Sequence, residues 1–362
     1  MAPEGFVTNK DWESARKRFD AFWECEMLDR PCFYITCDTE NENPLTPARP
    51  QIETPFTKEE DKIAAEQFSR EFREEYRKKR FYAEALPNMY PNWEGISAMY
   101  GCKVKDFGNN FGILPAIDSI YDFDPSILDI GHPEVRSLLE KLEHYAANSA
   151  GEGLIGLPPL GNAGDTLAKI VGYTNLIADL AEDPDAVIKA EEAMADFWCL
   201  LYDKVYDVIT KYQEGTCSWL PTWYKGRGAL IEFDFSAMIN PEHYERYLPS
   251  LIRRASHVEK SIYHLDGTLA LRHIDLILGI RELDAIQWEP GVQCENILEW
   301  IPLMQKIQAA GKALYVSGPR PDPATAKELL KNLSPKGLMM PVAVKSCDEA
   351  ERFLEDVEKM YR

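Results

Sequence analysis

Along residues 9–29 the apolar positions Trp12, Phe19, Phe22 and Trp23 recur at helical spacing, which predicts an amphipathic helix. Arg30-Pro31 ends it, because proline disfavours the helical region for the residue before it. The unbroken apolar run at 32–37 reads as a short buried strand. Residues 40–56, rich in Pro, Asn and Thr, read as loop, and 58–79 as a highly charged helix on a solvated outer layer. From about residue 150 the alternation becomes regular. Strands are predicted at 153–158, 215–220, 229–234, 261–265, 285–288, 313–316 and 337–340. Helices are predicted at 165–181, 186–212, 241–257, 270–278, 297–309, 323–332 and 347–359. Strands that are apolar throughout, separated by helices, imply a parallel sheet covered by helices. With 32–37 the count is about eight, which fits a closed (β/α)8 barrel better than an open sheet. The expected organisation is an N-terminal helical extension with the first strand over residues 1–80, packed on the barrel. Residues 81–362 then form the remainder of one barrel domain. No GxGxxG follows a strand and no GxxxxGK[ST] occurs, which argues against a nucleotide-binding doubly wound sheet.

Charge narrows the partners. The 362 residues carry 60 acidic and 40 basic side chains, a net −20, without a Lys/Arg-rich run. Such a field opposes polyanions, so nucleic acid is not an expected partner. No apolar stretch approaches the roughly 20 residues of a spanning helix, and the first residues lack the pattern of a signal peptide, so neither membrane nor export is expected. The eight cysteines are scattered without a CxxC. They are expected as free thiols in a reducing cytoplasm.

In a barrel the chemistry sits where strands end. His264 and Asp266 close one predicted strand two positions apart, and residues at i and i+2 share a face. They are candidates for a metal pair or an acid/base pair. The competing structural role is a histidine bonded to backbone beside an aspartate that caps the next helix. Glu289 closes the next strand between Trp288 and Pro290, surroundings that raise a carboxyl pKa and suit a general acid. Its structural alternative is an ion pair with Arg272. Arg320, after the following strand, is a candidate anchor for a carboxylate or phosphate. Cys347, past the last strand, is a further candidate metal ligand, although a cysteine there more often packs at a helix start. Trp219, Trp223, Tyr224 and Arg227, with Asp234 and Ser236, form a second cluster suited to stacking on a sugar or arene, or to packing at the rim. Trp288 and Trp93 are further substrate-binding candidates, and Asn92, Asn109 and Asn110 add polar groups from early loops. GxSxG, HExxH and paired CxxC patterns are absent.

The run Gly156-Leu157-Pro158-Pro159, Asp165-Thr166-Leu167-Ala168, Gly172-Tyr173, Leu176, Asp179-Leu180 and Asp183-Pro184 resembles the uroporphyrinogen decarboxylase superfamily. His264-Leu265-Asp266-Gly267, the stretch 283–290 and Gly311-Lys312 extend the resemblance over roughly 150–345. It implies a (β/α)8 barrel, and either decarboxylation or zinc-dependent methyl transfer to a corrinoid protein. The decarboxylases grip substrate carboxylates with an arginine-rich N-terminal motif, where this chain reads Cys32-Phe33-Tyr34-Ile35-Thr36-Cys37-Asp38. The methyltransferases bind zinc with His-x-Cys and a later cysteine. His264 matches that histidine, Asp266 stands at the cysteine, and the later cysteine falls near Ala343 and Val344.

The leading expectation is therefore a barrel enzyme that transfers a methyl group from an oxygen-bearing small molecule to a corrinoid protein. His264, Asp266 and Glu289 would bind a divalent metal, zinc being one choice, or polarise the leaving oxygen. The alternatives are a decarboxylase or other lyase using Glu289 without metal, and a non-catalytic barrel that binds a ligand through its tryptophans. A homodimer is the family habit.

Overall fold

The computed structural model describes residues 11–38, 70, 73, 74, 76–91, 93–106 and 111–362. The loop expected at 40–56, most of the helix expected at 58–79, and Asn92, Asn109 and Asn110 lie outside the described residues. The strands are β1 (Cys32–Asp38), β2 (Lys79–Ala83), β3 (Asn88–Met89), β4 (Lys103–Asp106), β5 (Phe111–Leu114), β6 (Leu154–Ile155), β7 (Gly228–Glu232), β8 (Lys260–Asp266), β9 (Ala285–Glu289), β10 (Ala313–Val316) and β11 (Leu338–Pro341). A seven-stranded sheet runs in the order β2-β1-β11-β10-β9-β8-β7. Every pairing in it is parallel except β2 on β1. β3 pairs with β6 in parallel, and β4 with β5 antiparallel. With helices between the strands, the architecture is mixed α/β around a parallel sheet.

The strands with parallel partners differ from the expected set in one member. The segment at 215–220 is not a strand and makes one antiparallel bridge, Thr216 to Tyr224. Its main chain turns on itself instead, with the Thr222 N–H donating to the Leu220 carbonyl at 2.7 Å. The missing member is β3, two residues between Pro87 and Tyr90-Pro91, too short to show any period. The helix expected at 165–181 breaks at Gly172, whose φ of +96° suits only glycine, into Asp165–Val171 and Tyr173–Glu182.

Alternation along each strand separates two apolar layers. Phe33, Tyr263, Leu265, Ile286, Trp288, Leu314, Val316 and Met340 belong to the large core shared with the helices. Cys32, Ile262, Ala285, Ala313, Tyr315 and Met339 face the other way, into a cluster closed by the helix Trp12–Trp23. That helix contributes Trp12, Phe19, Phe22 and Trp23, the residues its periodicity marks. Trp23 Nε1 donates to the Trp223 carbonyl at 2.8 Å, which ties the N-terminal helix to the loop before β7.

The eight cysteines are not all free. Cys37 and Cys347 form a disulfide with Cα atoms 5.7 Å apart, against the expectation of free thiols and against Cys347 as a metal ligand. Parallel pairing of β1 with β11 brings the end of β1 beside the start of the last helix (Cys347–Tyr361), across 310 residues of sequence. Linear spacing gives no sign of this.

Two buried charged pairs fix the elements around the sheet. Glu84 accepts from both guanidinium nitrogens of Arg30, at 2.9 and 3.1 Å, and from the Phe33 N–H at 2.7 Å. Arg254 Nη1 donates to Glu191 at 2.7 Å with both side chains 1% exposed. The other Glu191 oxygen accepts the Gly164 N–H at 3.0 Å, and Arg254 Nη2 donates to the Gly161 carbonyl at 3.3 Å. The pair thus holds the loop 161–164 that leads to Asp165. Removing one partner of such a pair strands the other charge without water. Arg254→Ala should lower unfolding free energy by about 3–5 kcal/mol in urea titration. A loss below about 1 kcal/mol, the range of exposed pairs, would contradict this role.

His273 lies wholly buried, stacked 4.3 Å from the Tyr244 ring, with Nε2 2.9 Å from the Ser236 carbonyl. Burial lowers its pKa from the ordinary imidazole value. The folded chain therefore holds fewer protons there than the unfolded one. This contribution to stability is present above the unfolded value of about 6.5 and is lost as pH falls through the lower folded value. The urea midpoint of the parent should fall on acidification from about pH 7.5 to pH 5, and His273→Phe should show a flatter dependence. Equal slopes in both proteins would refute the assignment.

Candidate functional site

The register of β7, β8 and β9 sets Glu232, His264 and Gln287 side by side, and Asp266 beside Glu289. Alternation points His264 to the same face as Asp266, and Gln287 to the same face as Glu289. Just after β7, Asp234 opens the turn Asp234–Met238. The backbone N–H groups of Asp234 and Phe235 donate to Asp165 at 3.0 and 2.5 Å. Asp165 begins the helix Asp165–Val171, so the loop held by Glu191 and Arg254 positions Asp234 through it. Asn162 from the same loop and the Trp219 indole N–H both donate to the Glu232 carboxylate.

His264 is held in one orientation. Its Nδ1 lies 2.7 Å from Gln287 Oε1, and Gln287 Nε2 donates to Ser317 Oγ at 3.0 Å. The amide oxygen can only accept, so this network assigns the hydrogen to Nδ1. Nε2 then faces Asp234, 3.8 Å from its Oδ1. The Trp219 ring stands edge-on to the imidazole with centroids 5.1 Å apart. Ligand atoms of Asp234, His264 and Asp266 all lie within 4.8 Å of one another. Two donors on opposite sides of one ion at about 2.3 Å each are about 4.6 Å apart, so the three can share a divalent cation.

Charge is crowded here. Burial raises the Asp165 pKa well above the carboxylate range, and the neighbouring Asp234 raises it further. Burial also raises Glu232, with His264 opposing. Asp266 is raised by burial and by Asp234, again with His264 opposing. An oxygen-rich set with one imidazole suits a hard or borderline divalent ion rather than a thiolate zinc site.

The sequence candidates divide sharply. His264, Asp266, Asp234 and Trp219 come together. Asp266 does not cap the following turn Thr268–His273, which takes no side-chain cap. Glu289 lies at the same strand ends but outside the three-residue group. Its Oε1 accepts from the Gly291 N–H at 3.1 Å, while Arg272 turns to the Leu269 carbonyl. Gly318 lies against it, where a Cβ would sit 2.8 Å from Pro290 Cδ and 3.3 Å from Glu289 Oε1. Arg320 is exposed near the Tyr34 and Tyr315 hydroxyls; Tyr34 is pushed up to about 12 by burial, with Arg320 opposing.

The remaining aromatic and basic candidates are elsewhere. Trp288 is fully buried on the helix-facing side, 5.0 Å from the Trp300 ring. Adjacent strand residues face opposite ways, so Trp288 and Glu289 cannot serve one site. Trp223 packs on Trp12 and Phe19, and its indole N–H donates to the Glu214 carbonyl. Tyr224 packs on Trp23 and donates to Glu259 at 3.0 Å. Arg227 pairs with Asp203 and stacks 4.8 Å from the Tyr202 ring. These three precede β7 and so sit at the start of the strands, the end away from His264. Trp93 is buried over Gly95, where any Cβ would lie 2.0 Å from its ring. Cys347 is in its disulfide.

Sequence reasoning missed Glu232, Gln287, Asn162 and Asp165 as site residues. Two of them carried a signal: Glu232 is i−2 to Asp234 and Gln287 is i−2 to Glu289, the spacing that singled out His264 and Asp266.

Fold and site together define a mixed α/β protein with an aspartate–histidine–aspartate group at the ends of parallel strands. No protein-family model and no curated protein matches the chain. A solved structure that it matches is the crystal structure of a GH18 chitinase from Pseudoalteromonas aurantia, 10% identical, with a TM-score of 0.34. The match covers 63% of this chain and 81% of that one, and nothing about the chemistry here follows from it. No helix among the described residues is long and apolar enough to cross a membrane.

Replacing Gln287 by Leu removes the acceptor for His264 Nδ1–H. Nitrogen NMR of the imidazole should show the single Nδ1–H tautomer in the parent and a mixture in Gln287→Leu. A single unchanged tautomer in the variant would show that Gln287 does not set it.

Proposed function

We propose that this chain is a small-molecule enzyme built as a (β/α)8 barrel. Its strand-end site would hold a divalent metal on Asp234, His264 and Asp266 and act on an oxygen-bearing group of the substrate. The barrel reading rests on parallel strands that alternate with helices in chain order. The metal reading rests on one observation: Gln287 holds His264 through Nδ1, which leaves Nε2 toward Asp234 within the Asp234–His264–Asp266 group. An outer-shell acceptor on the far nitrogen is the usual support of a metal-binding histidine. When bound, a divalent ion supplies Lewis-acid polarisation of a substrate oxygen. Burial raises the Asp165 and Glu232 carboxyls beside that point, and the Trp219 indole N–H donates to Glu232. Among reactions of this kind we put methyl transfer from oxygen to a corrinoid protein first, on the sequence resemblance.

The test is elemental analysis of the full chain purified without chelator, then dialysed against zinc, manganese or ferrous ion. One divalent ion per chain is expected, lost in His264→Ala, and bound about 10–100-fold more weakly in Gln287→Leu. Parent protein that retains no ion, or a His264→Ala variant that retains it fully, would overturn the metal reading.

A further inference from the structure

The face of the sheet that carries His264 holds a second polar group farther along. Tyr315 on β10 pairs in register with Gln287, and Gln287 with His264, so the three stand in one row. Tyr34 on β1 pairs with Pro341, two residues past Met339, which is the partner of Tyr315. Tyr34 therefore sits on the same face, one layer nearer the strand ends. Arg320 comes from the loop after β10, and that loop is tied down beside Tyr34. The Val342 N–H donates to the Tyr34 carbonyl at 3.1 Å and the Ala343 N–H to the Pro321 carbonyl at 2.9 Å. Both hydroxyls lie in the field of the guanidinium, which opposes the upward pull of burial on each. Tyr315 is only 3% exposed. Among the described residues neither tyrosine hydroxyl has a hydrogen-bond partner, and Arg320 has no ion pair. Glu289, near Tyr315, keeps its Oε1 on the Gly291 N–H instead.

We propose that Arg320 and the hydroxyls of Tyr34 and Tyr315 bind the carboxylate of the substrate. A buried hydroxyl without a partner calls for one, and here two converge with a cation. A guanidinium fork and two hydroxyl donors match the lone-pair positions of a single carboxylate. One cation beside Glu289, in a chain of net charge −20, does not balance a dianion, so the anchor takes a carboxylate in preference to a phosphate. β8 and β10 are two strand spacings apart, roughly 10 Å along the sheet. A molecule held here by its carboxylate carries its reacting oxygen several bonds away, at Asp234, His264 and Asp266.

This inference rests on the enzyme reading for the reacting end of that molecule, and its test is run without metal so that each can fail alone. The full chain, stripped of metal and dialysed free of chelator, is titrated with carbon-13 acetate, acetamide and inorganic phosphate by NMR at neutral pH. Acetate should bind saturably, and acetamide and phosphate at least about tenfold more weakly. Arg320→Ala, a change at an exposed position, should weaken acetate binding at least about tenfold, and Tyr315→Phe, which keeps the ring, several-fold. Absence of saturable acetate binding, acetamide or phosphate binding as tightly as acetate, or affinity unchanged in Arg320→Ala or in Tyr315→Phe would each overturn the proposal.

Discussion

The in-phase parallel pairing of β7, β8 and β9 is the constraint on which the site depends. It puts Glu232, His264 and Gln287 in one row, and Asp266 and Glu289 in the next. A slip of one residue would exchange faces along the whole strand. His264 would then enter the apolar layer under the helices, and Tyr263, whose hydroxyl meets that of Tyr244 at 3.1 Å, would leave it. Burial of Tyr263, Leu265, Ile286 and Trp288 against the helices therefore fixes which polar groups meet at the other face. The packing that stabilises the sheet and the geometry of the site are one arrangement.

Around that row, polar contacts hold the loops that complete it. Glu191 and Arg254 fix 161–164, Asp165 binds the backbone of Asp234 and Phe235, and Asn162 reaches Glu232. These links are buried or partly buried, where a hydrogen bond is strong and an unmade one costly. At the opposite end of the strands, the aromatic face of Trp12–Trp23 covers the inner cluster. Trp223 and Tyr224 are spent on that closure. The ends of the sheet thus divide the work, one sealed by aromatic packing and the other left polar.

Much of this was legible in the sequence. The strands from β7 onward, the helices between them and the N-terminal amphipathic helix follow from apolar runs and periodicity. So do His264, Asp266 and Asp234 as strand-end residues. The two-residue β3 was not legible, since nothing repeats within it. The segment at 215–220 looked like a strand because apolar content alone does not say where its backbone hydrogen bonds go. Trp288 was assigned to the site by adjacency to Glu289, although strand alternation already set it on the other face.

By itself the sequence determined the element order, the face each strand residue takes and the pairs spaced i, i+2, because these follow from local backbone geometry. Tertiary structure alone decided which pairs meet. Asp234 rather than Glu289 joins His264 and Asp266, Gln287 orients the imidazole, and Cys347 meets Cys37 across 310 residues. The reason is physical. Register between strands and the closure of long loops are set by packing across the sheet, and that packing has no period along the chain.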